Sequence, residues 1–522
     1  MSSSRCFVPL AAALCGCAAA PAPGSTPTPT PTPAVLPPLP AASAPSSGGS
    51  ARPIIAAALD ALGGEAKLRA IRNIHIKTIG TWTSIESSAH PEPPWHRGYD
   101  HTDEWLDYER GAWRKDGVFS SIDAWSEQAF SVVAADGAAA LTLEGKTRPG
   151  SPVYLGDAAE QVLYQAHRLL IAAADAADLK RGSDDVFAGE PQHTIAFHHL
   201  GQPIRLWINA RTQRLAAAEI THAMPDDAFW RVRGDVRDRL ELLQWRLHPS
   251  GVWFAHQTDL IRNAVPYHTY LTTLIEPDAA APETFAIADD IRAAYKEKAR
   301  GPGDAALGEI GALAPGVWLV AHPRYNALVI AQPAGAIVID APVSEVYVGR
   351  LLDDVARRFG KPAAQVVLTD QIIPTLSGLR EVGARGIALR ALDTSADFVA
   401  GLLAAPHTLA PDALARSGRR VTVKLIATRT RLGDGAMRLE LIPMRTTLGE
   451  RAVLAWLPGP RLLWVATALT VDGEGHANPS RLTELDAVVA REHLDVDRVV
   501  GSGLAITSWA SLQPPARARP GT

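Results

Sequence analysis

The residues best placed to do chemistry lie in one ten-residue stretch, Thr369 to Gly378, which reads Thr-Asp-Gln-Ile-Ile-Pro-Thr-Leu-Ser-Gly. It follows an apolar run, residues 365–368, that predicts a buried strand, and it leads into a helical pattern near Leu379. Folds of the α/β class place their reactive groups where a strand ends and a helix begins. Asp370 supplies a carboxylate at this point and Thr375 a hydroxyl.

This stretch resembles the hallmark loop of the metallo-β-lactamase superfamily, Thr-His-x-His-x-Asp-His-x-Gly-Gly. The resemblance implies an αββα sandwich that holds one or two metal ions and activates water. By this resemblance the family's metal ligands correspond to Asp370, Ile372, Pro374, Thr375, Leu448, Thr467 and Ser502. Among the family's functional residues only Asp340 keeps its type, and the resemblance gives it a role in supporting the loop. The strand, loop and helix around the site are kept, but other residues replace the family's histidines.

The replacements remove the donor atoms that a zinc ion needs. Ile372 and Leu448 have no lone pairs, and threonine and serine hydroxyls are poor zinc ligands. Asp370 alone would bind a metal only weakly. We therefore expect zinc to be absent and the domain to be catalytically inactive. A hydrolase with a rebuilt site made from Asp340, Asp370 and His476 stays open as an alternative.

Two further uses of the same region follow from its side chains. Ser502 would act as a nucleophile only with an adjacent base, and the sequence shows none. A cleft rimmed by hydroxyls would either be filled by side chains or bind a small ligand. The residues expected to line it are Ile372, Ile373, Thr375, Leu448 and Thr467.

A second polar segment, His96 to Trp105, invites a metal-site interpretation because it holds two histidines and three acidic residues. Asp100 and His101 are adjacent, however, and adjacent side chains on a strand face apart. We therefore predict a wet, aromatic surface loop here.

The elements around these residues predict two folded domains of an α/β protein. Residues 305–515 give the strand and helix order of a metallo-β-lactamase-like αββα sandwich. Residues 52–298 give a helix followed by recurrent strands, a β-rich α+β domain. Its Leu62-Gly63-Gly64 helix stop and Leu206-Trp207-Ile208-Asn209 strand are similar to LolA/RseB-like lipoprotein carriers. That similarity implies a half-barrel whose concave face could hold an acyl chain; an accessory domain that only packs on its neighbour is the alternative.

The N-terminus has the form of a secretory signal, with Arg5 before a short apolar core. Residues 1–17 end in Leu14-Cys15-Gly16-Cys17, which resembles the bacterial lipobox and implies lipidation of Cys17. Residues 18–51 are rich in Pro, Ala, Ser and Thr and predict an extended, disordered tether. We expect a bacterial envelope protein held to the membrane by a lipid anchor, facing the periplasm and sorted to the outer membrane.

Composition narrows the function classes. The net charge of −4 argues against a nucleic-acid partner. The three cysteines all lie in the first 17 residues, so the folded part has no disulfide and no thiolate site. Three hypotheses remain: a pseudo-hydrolase that acts as a binding or scaffold module for a small molecule, lipid or protein of the envelope; a metal-dependent hydrolase with a non-standard site; and a lipid or lipoprotein carrier that uses the first domain.

Overall fold

The computed structural model describes residues 50–85, 92–120, 127–227, 229–298, 306–323, 325–445, 452–469, 471 and 477–512. The lipobox Cys17 and residues 18–49 of the predicted tether lie outside these ranges, whereas Ala51, the last residue of the predicted tether, already begins the first helix. The elements of the first part run from Ala51 to Lys298, and those of the second part run from Ile310 to Leu512. Among the described residues, no helix is both long enough and apolar enough to cross a bilayer.

The first part is built on a 14-stranded sheet. Its strands are β1 (Asn73–Ser84), β2 (His96–Asp107), β3 (Ala112–Phe119), β4 (Gln128–Ala135), β5 (Ala138–Leu143), β6 (Lys146–Pro149), β7 (Lys180–Arg181), β8 (Asp185–Phe187), β9 (Glu190–His199), β10 (Gln202–Asn209), β11 (Leu215–Ala223), β12 (Asp235–Leu247), β13 (Trp253–Arg262) and β14 (Val265–Pro277). Its helices are α1 (Ala51–Ala61), α2 (Glu65–Ala70), α3 (Val153–Leu163), α4 (Ala166–Asp175) and α5 (Asp289–Lys298).

Neighbouring strands of this sheet run antiparallel. One run of strands goes from β6 to β1 and the other from β14 to β9 and then β7, and the long pairing of β1 with β14 joins the two runs in the middle of the sheet. Burial alternates along β1, as expected when one face of a sheet is covered. Helices α1 and α4 cover that face through Ile55, Leu59 and Leu169, which share one core with Ile74 and Leu206. The predicted β-rich α+β part is confirmed.

The segment His96 to Trp105 corrects a prediction, because it forms strand β2 and not a surface loop. Asp100, Thr102 and Glu104 point to the buried face, and His101 points to the exposed one. Glu104 is balanced by Lys115 Nζ at 3.2 Å and accepts a hydrogen bond from Trp113 Nε1 at 3.1 Å. The sequence of this segment indicated a loop because it contains many acids. The cation that compensates Glu104 comes from another strand, so the segment alone does not show that its acids can be buried.

The described residues of the second part form two sheets and seven α-helices. Its strands are β15 (Ile310–Ala314), β16 (Val317–Val320), β17 (Ala327–Ile330), β18 (Ile337–Ile339), β19 (Gln365–Val367), β20 (Ala388–Leu392), β21 (Val423–Ile426), β22 (Thr430–Leu432), β23 (Leu439–Met444), β24 (Ala452–Leu457), β25 (Leu462–Trp464), β26 (Arg498–Val500) and β27 (Thr507–Ser508). Its helices are α6 (Glu345–Phe359), α7 (Ile373–Leu376), α8 (Leu379–Ala384), α9 (Ala396–Ala404), α10 (Ala413–Ser417), α11 (Pro479–Arg491) and α12 (Trp509–Leu512).

These elements stack in four layers. Helices α6, α8 and α9 pack on one face of the seven-stranded sheet β15 to β21. The other face of that sheet meets the six-stranded sheet β22 to β27, as in the contact of Ile339 and Val367 with Leu441 and Trp464. Helix α11 covers the far side of the second sheet through Leu485. The predicted αββα sandwich is confirmed.

Local signals account for two of the helices. Ser344 begins α6, with its Oγ accepting a hydrogen bond from Tyr347 N at 3.1 Å, and the predicted apolar stripe of α6 is buried. Asn478 begins α11 by accepting hydrogen bonds from Ser480 N and Arg481 N. Residues 421–429 and 437–443 flank Gly433-Asp434-Gly435, a pattern that predicts one hairpin, and this prediction is wrong. Strand β21 adds parallel to β20 in the first sheet, and β22 pairs with β23 in the second.

The two parts touch through the segment that precedes β12. Val232 is buried in the helix-layer core of the sandwich. The carboxylate of Asp235 accepts hydrogen bonds from Thr408 N at 3.0 Å and Leu409 N at 3.1 Å. Arg231 Nη2 lies 3.7 Å from Glu345 Oε2 across the same junction. These contacts hold the start of β12 against the sandwich.

Candidate functional site

Asp340 holds the loop after β19 in position through hydrogen bonds to Thr369. Asp340 directly follows β18, and its carboxylate accepts hydrogen bonds from Thr369 N at 2.7 Å and from Thr369 Oγ1 at 2.8 Å. Trp464 Nε1 in turn donates to Thr369 Oγ1 at 3.1 Å. Burial, with the nearby Asp370, raises the pKa of Asp340 well above its usual range. This chain of contacts sets the position of the loop and is enclosed on all sides.

Asp370, the first position of the expected metal site, is enclosed by hydroxyl donors. Its carboxylate accepts a very short hydrogen bond from Thr375 Oγ1, one from Thr467 Oγ1 at 2.8 Å and one from Ile372 N at 3.0 Å. Only 8% of the residue is exposed. Burial raises the pKa of Asp370, and these donors oppose the rise. Three positions that the family resemblance assigns to metal ligands thus bond to one another.

Three of the remaining predicted positions, Ile372, Pro374 and Ser502, are described by the structure and supply no further ligand. Ile372 precedes α7, and Pro374 lies buried in its first turn, where its carbonyl accepts a hydrogen bond from Val343 N at 2.9 Å. Ser502 is fully buried, and its Oγ has no hydrogen-bond partner in the described part of the chain. It therefore has no base to activate it. Leu448 and His476 lie outside the described residues.

The residues present do not fit a zinc ion. Zinc takes imidazole, thiolate or carboxylate ligands in a roughly tetrahedral set, and here one carboxylate is surrounded by two hydroxyls that donate to it. Within the ranges that the structure describes, no three His, Cys, Asp or Glu side chains are arranged to hold a metal. Ile373 and Thr375 are fully buried. These two residues of the expected cleft are therefore not open to solvent.

Comparisons with known proteins give structural neighbours only. No protein-family model matches the sequence, and no curated protein matches it. Solved structures similar to the chain include a metallo-β-lactamase from Pontibacter korlensis, with 19% identity over 39% of this chain and 94% of that chain and a TM-score of 0.31.

Two other solved structures cover the same share of the chain. The metallo-β-lactamase FIM-1 from Pseudomonas aeruginosa, solved in its mono-zinc form, is 14% identical over 39% of this chain and 90% of that one, with a TM-score of 0.30. A metallo-β-lactamase from Hirschia baltica is 14% identical over 39% and 94%, also with a TM-score of 0.30. Identities this low concern the fold alone.

Two cavities of the described chain lie away from this loop. One of about 580 Å³ lies at the junction of the two parts, where its charged groups are largely paired, as in Arg385 with Asp353 and Glu381. Another, of about 430 Å³, lies in the first part between α3, α4 and the end of β11. We call this second cavity the N-terminal cleft.

Sequence analysis missed the N-terminal cleft. Asp157, Glu160 and Tyr164 lie on the side of α3 that lines it, at the spacing of one helix face. Arg168, Ile171, Ala172 and Asp175 repeat that spacing on α4. A helical pattern over residues 153–175 would have found both walls. Nothing local shows that residues 222–227 close the cleft from the other side.

Proposed function

We propose that this chain is a non-catalytic envelope lipoprotein with a metallo-β-lactamase-like domain, acting as a binding or scaffold module. The observation that carries the proposal is the hydrogen-bonded state of Asp370. A metal ion at this carboxylate would have to displace Thr375 and Thr467, whose hydroxyls cannot replace the ligands that it needs. The donor set therefore favours a structural role for the loop.

The alternative of a rebuilt hydrolase gains no support from the positions of its proposed residues. Asp340 turns its carboxylate to Thr369, and Asp370 turns its own to Thr375 and Thr467. General acid or base work requires a group that can reach a substrate proton. Both carboxylates are buried and already accept hydrogen bonds from loop groups.

Turnover assays test this proposal. The full chain is incubated with a β-lactam, a carboxylic ester and a phosphodiester, each with added zinc and with a chelator. Asp370→Asn is the matched control, because it keeps the shape of the side chain and removes its charge. We expect no turnover that combines three properties: an increase with added zinc, loss with the chelator and loss in Asp370→Asn. Turnover with all three properties would refute the proposal.

The envelope location rests on the lipobox around Cys17. The lipid anchor would hold the folded part near the membrane surface, and the tether of residues 18–51 would give it reach. Growing cells with radiolabelled palmitate tests this point. Label is expected in the wild-type chain and not in Cys17→Ser; equal labelling of the two chains would refute the anchor.

A second candidate function is a carrier that uses the first part. The specific observation in its favour is the N-terminal cleft, whose volume of about 430 Å³ lies within the usual range of ligand pockets. Its lining is mainly apolar, with side chains such as Val153, Leu163 and Met224. A metal-free sandwich and a ligand-binding first part are compatible roles in one protein.

A further inference from the structure

The N-terminal cleft combines an apolar lining with one strongly acidic wall. The apolar surface comes from Val153 and Leu163 near α3, from Ile171 on α4 and from Met224 beyond β11. Leu200, which is 86% exposed, stands at the edge of the cleft. Such a surface would hold a hydrocarbon group away from water.

The acidic wall contains Asp157, Glu160, Asp226 and Asp227. Glu160 is compensated, because His222 Nδ1 lies 3.1 Å and Arg262 Nη2 lies 3.4 Å from its carboxylate. Asp227 accepts hydrogen bonds only from backbone amides, those of Phe229 and Trp230. The acids of this wall therefore outnumber the cations bound to them.

Asp157 is the group that this structure leaves without a partner. Its carboxylate lines the cleft and is largely buried, yet it makes no hydrogen bond or ion pair with any described residue. Burial, together with Glu160 and Asp227, raises the pKa of Asp157 to about 7. An unpaired carboxylate in such a place is costly, and a bound cation would offset that cost.

The basic groups of the cleft do not cancel this charge. Arg168 lines the cleft without an ion-pair partner among the described residues, and its guanidinium lies 5.0 Å from the centre of the Tyr108 ring. No ion pair joins it to Asp157. Burial and the nearby Arg168 lower the pKa of His199. Three carboxylates without an ion pair, Asp157, Asp226 and Asp227, thus face one unpaired guanidinium.

We propose that the N-terminal cleft binds an organic cation with an apolar body, whose ammonium group contacts Asp157 and whose hydrocarbon part lies along α3 and α4. This inference gives a ligand class to the binding role proposed above. The acidic wall sets the sign of the charge, and the apolar lining selects an alkyl or aryl body over a bare metal ion.

Three probes of equal chain length test the proposal: hexylammonium, hexanol and hexanoate. Each is titrated by calorimetry into the full chain carrying Cys17→Ser, so that no acyl group competes. We expect saturable binding of one hexylammonium per chain and weaker binding of the other two. Asp157→Asn should weaken the binding of hexylammonium about ten-fold and leave that of hexanol unchanged, because only the charge contact is lost.

Arg168→Met is the matched control, since it removes a charge of the opposite sign from the same cleft. It should leave the binding of hexylammonium unchanged or tighten it. The proposal is overturned if hexanoate binds best, if the three probes bind equally, if none saturates, or if Asp157→Asn binds hexylammonium as the wild type does. Circular dichroism of each variant confirms that it is folded. Zinc-dependent turnover would refute the inactive sandwich without changing this result, so the two failures are distinguishable.

Discussion

Asp370 in the sandwich and Asp157 in the first part are both largely buried carboxylates with a raised pKa, yet their surroundings are opposite. Asp370 accepts hydrogen bonds from two hydroxyls and one amide. Asp157 accepts none from the described residues and lies in the wall of an open cleft. Burial alone therefore does not mark a functional carboxylate. The donors that surround it decide whether it holds the fold together or is available to a ligand.

The comparison also shows how a catalytic frame and a binding site can be separated in one chain. In the loop whose position predicts chemistry, the carboxylate of Asp370 is enclosed by Thr375 of the same loop and by the distant Thr467. The cleft with an available charge is formed by two helices and a loop that carry no recognisable motif. Predictions that alter the partners of a carboxylate test this contrast directly.

The largest effect is expected at Asp238, a fully buried carboxylate below the N-terminal cleft. Arg262 Nη2 lies 2.5 Å from it, and Tyr164 and His222 also bond to it. Asp238→Ala should lower the free energy of unfolding by about 3–5 kcal/mol, because it leaves Arg262 buried without its main partner. Urea denaturation measures this. The exposed Asp226→Ala is the control, and equal losses in the two variants would show that partners are not what matters.

A smaller effect is expected at Thr369, which links Asp340 to Trp464. Thr369→Val removes the hydroxyl between them and leaves both groups buried with one partner fewer. The free energy of unfolding should fall by about 2–3 kcal/mol. Thr467→Val removes one donor from Asp370 at a half-buried position and should cost about 1 kcal/mol. A greater loss for Thr467→Val would contradict the description of Asp340 as the support of the loop.

The smallest effect is expected for Asp157→Asn, and it depends on pH. The pKa of Asp157 is about 7 in the folded chain, against about 3.9 for an unfolded aspartate. The folded state binds the proton more tightly, so wild-type stability falls as pH rises from 4 to 7. Above that range, where the wild-type carboxylate is ionised, Asp157→Asn should be more stable by on the order of 1 kcal/mol, a fraction of the full linkage because solvent at the open cleft screens the charge.

Glu160, Asp227, Arg262 and Lys115 are the charged groups that act on Asp157, and all four are unchanged in this variant. Thermal unfolding at pH 4, 6 and 8 follows the difference between the two chains. A variant that loses stability at pH 8 would show that Asp157 has a stabilising partner in the free protein.

Local patterns predicted much of the sandwich, because its helices carry their own start signals and apolar stripes. Ser344 and Asn478 are examples, whereas the αββα order came from the resemblance of the element order to the metallo-β-lactamase superfamily. The exchange of β21 and β22 between the two sheets was not predictable, since the sequence there reads as an ordinary hairpin. Strand β2 was missed because its inward residues are acids whose partners, such as Lys115, come from another strand.

The candidate sites divide in the same way. The loss of zinc-binding side chains at Ile372 and Pro374 was visible in the sequence. The enclosure of Asp370 was not, because Thr467 reaches it from far along the chain. The N-terminal cleft depends on the approach of α3, α4 and residues 222–227, a tertiary arrangement that no local spacing records. Charge balance in a cleft becomes visible only when its walls are assembled.

The most direct test of the account is a zinc titration of the full chain, followed by calorimetry, beside Asp370→Asn. Surface histidines and acids can bind zinc weakly, and Asp370→Asn subtracts that contribution. The account predicts no stoichiometric site and indistinguishable titration curves for the two chains. One or more zinc ions bound per chain, with binding lost in Asp370→Asn, would contradict it.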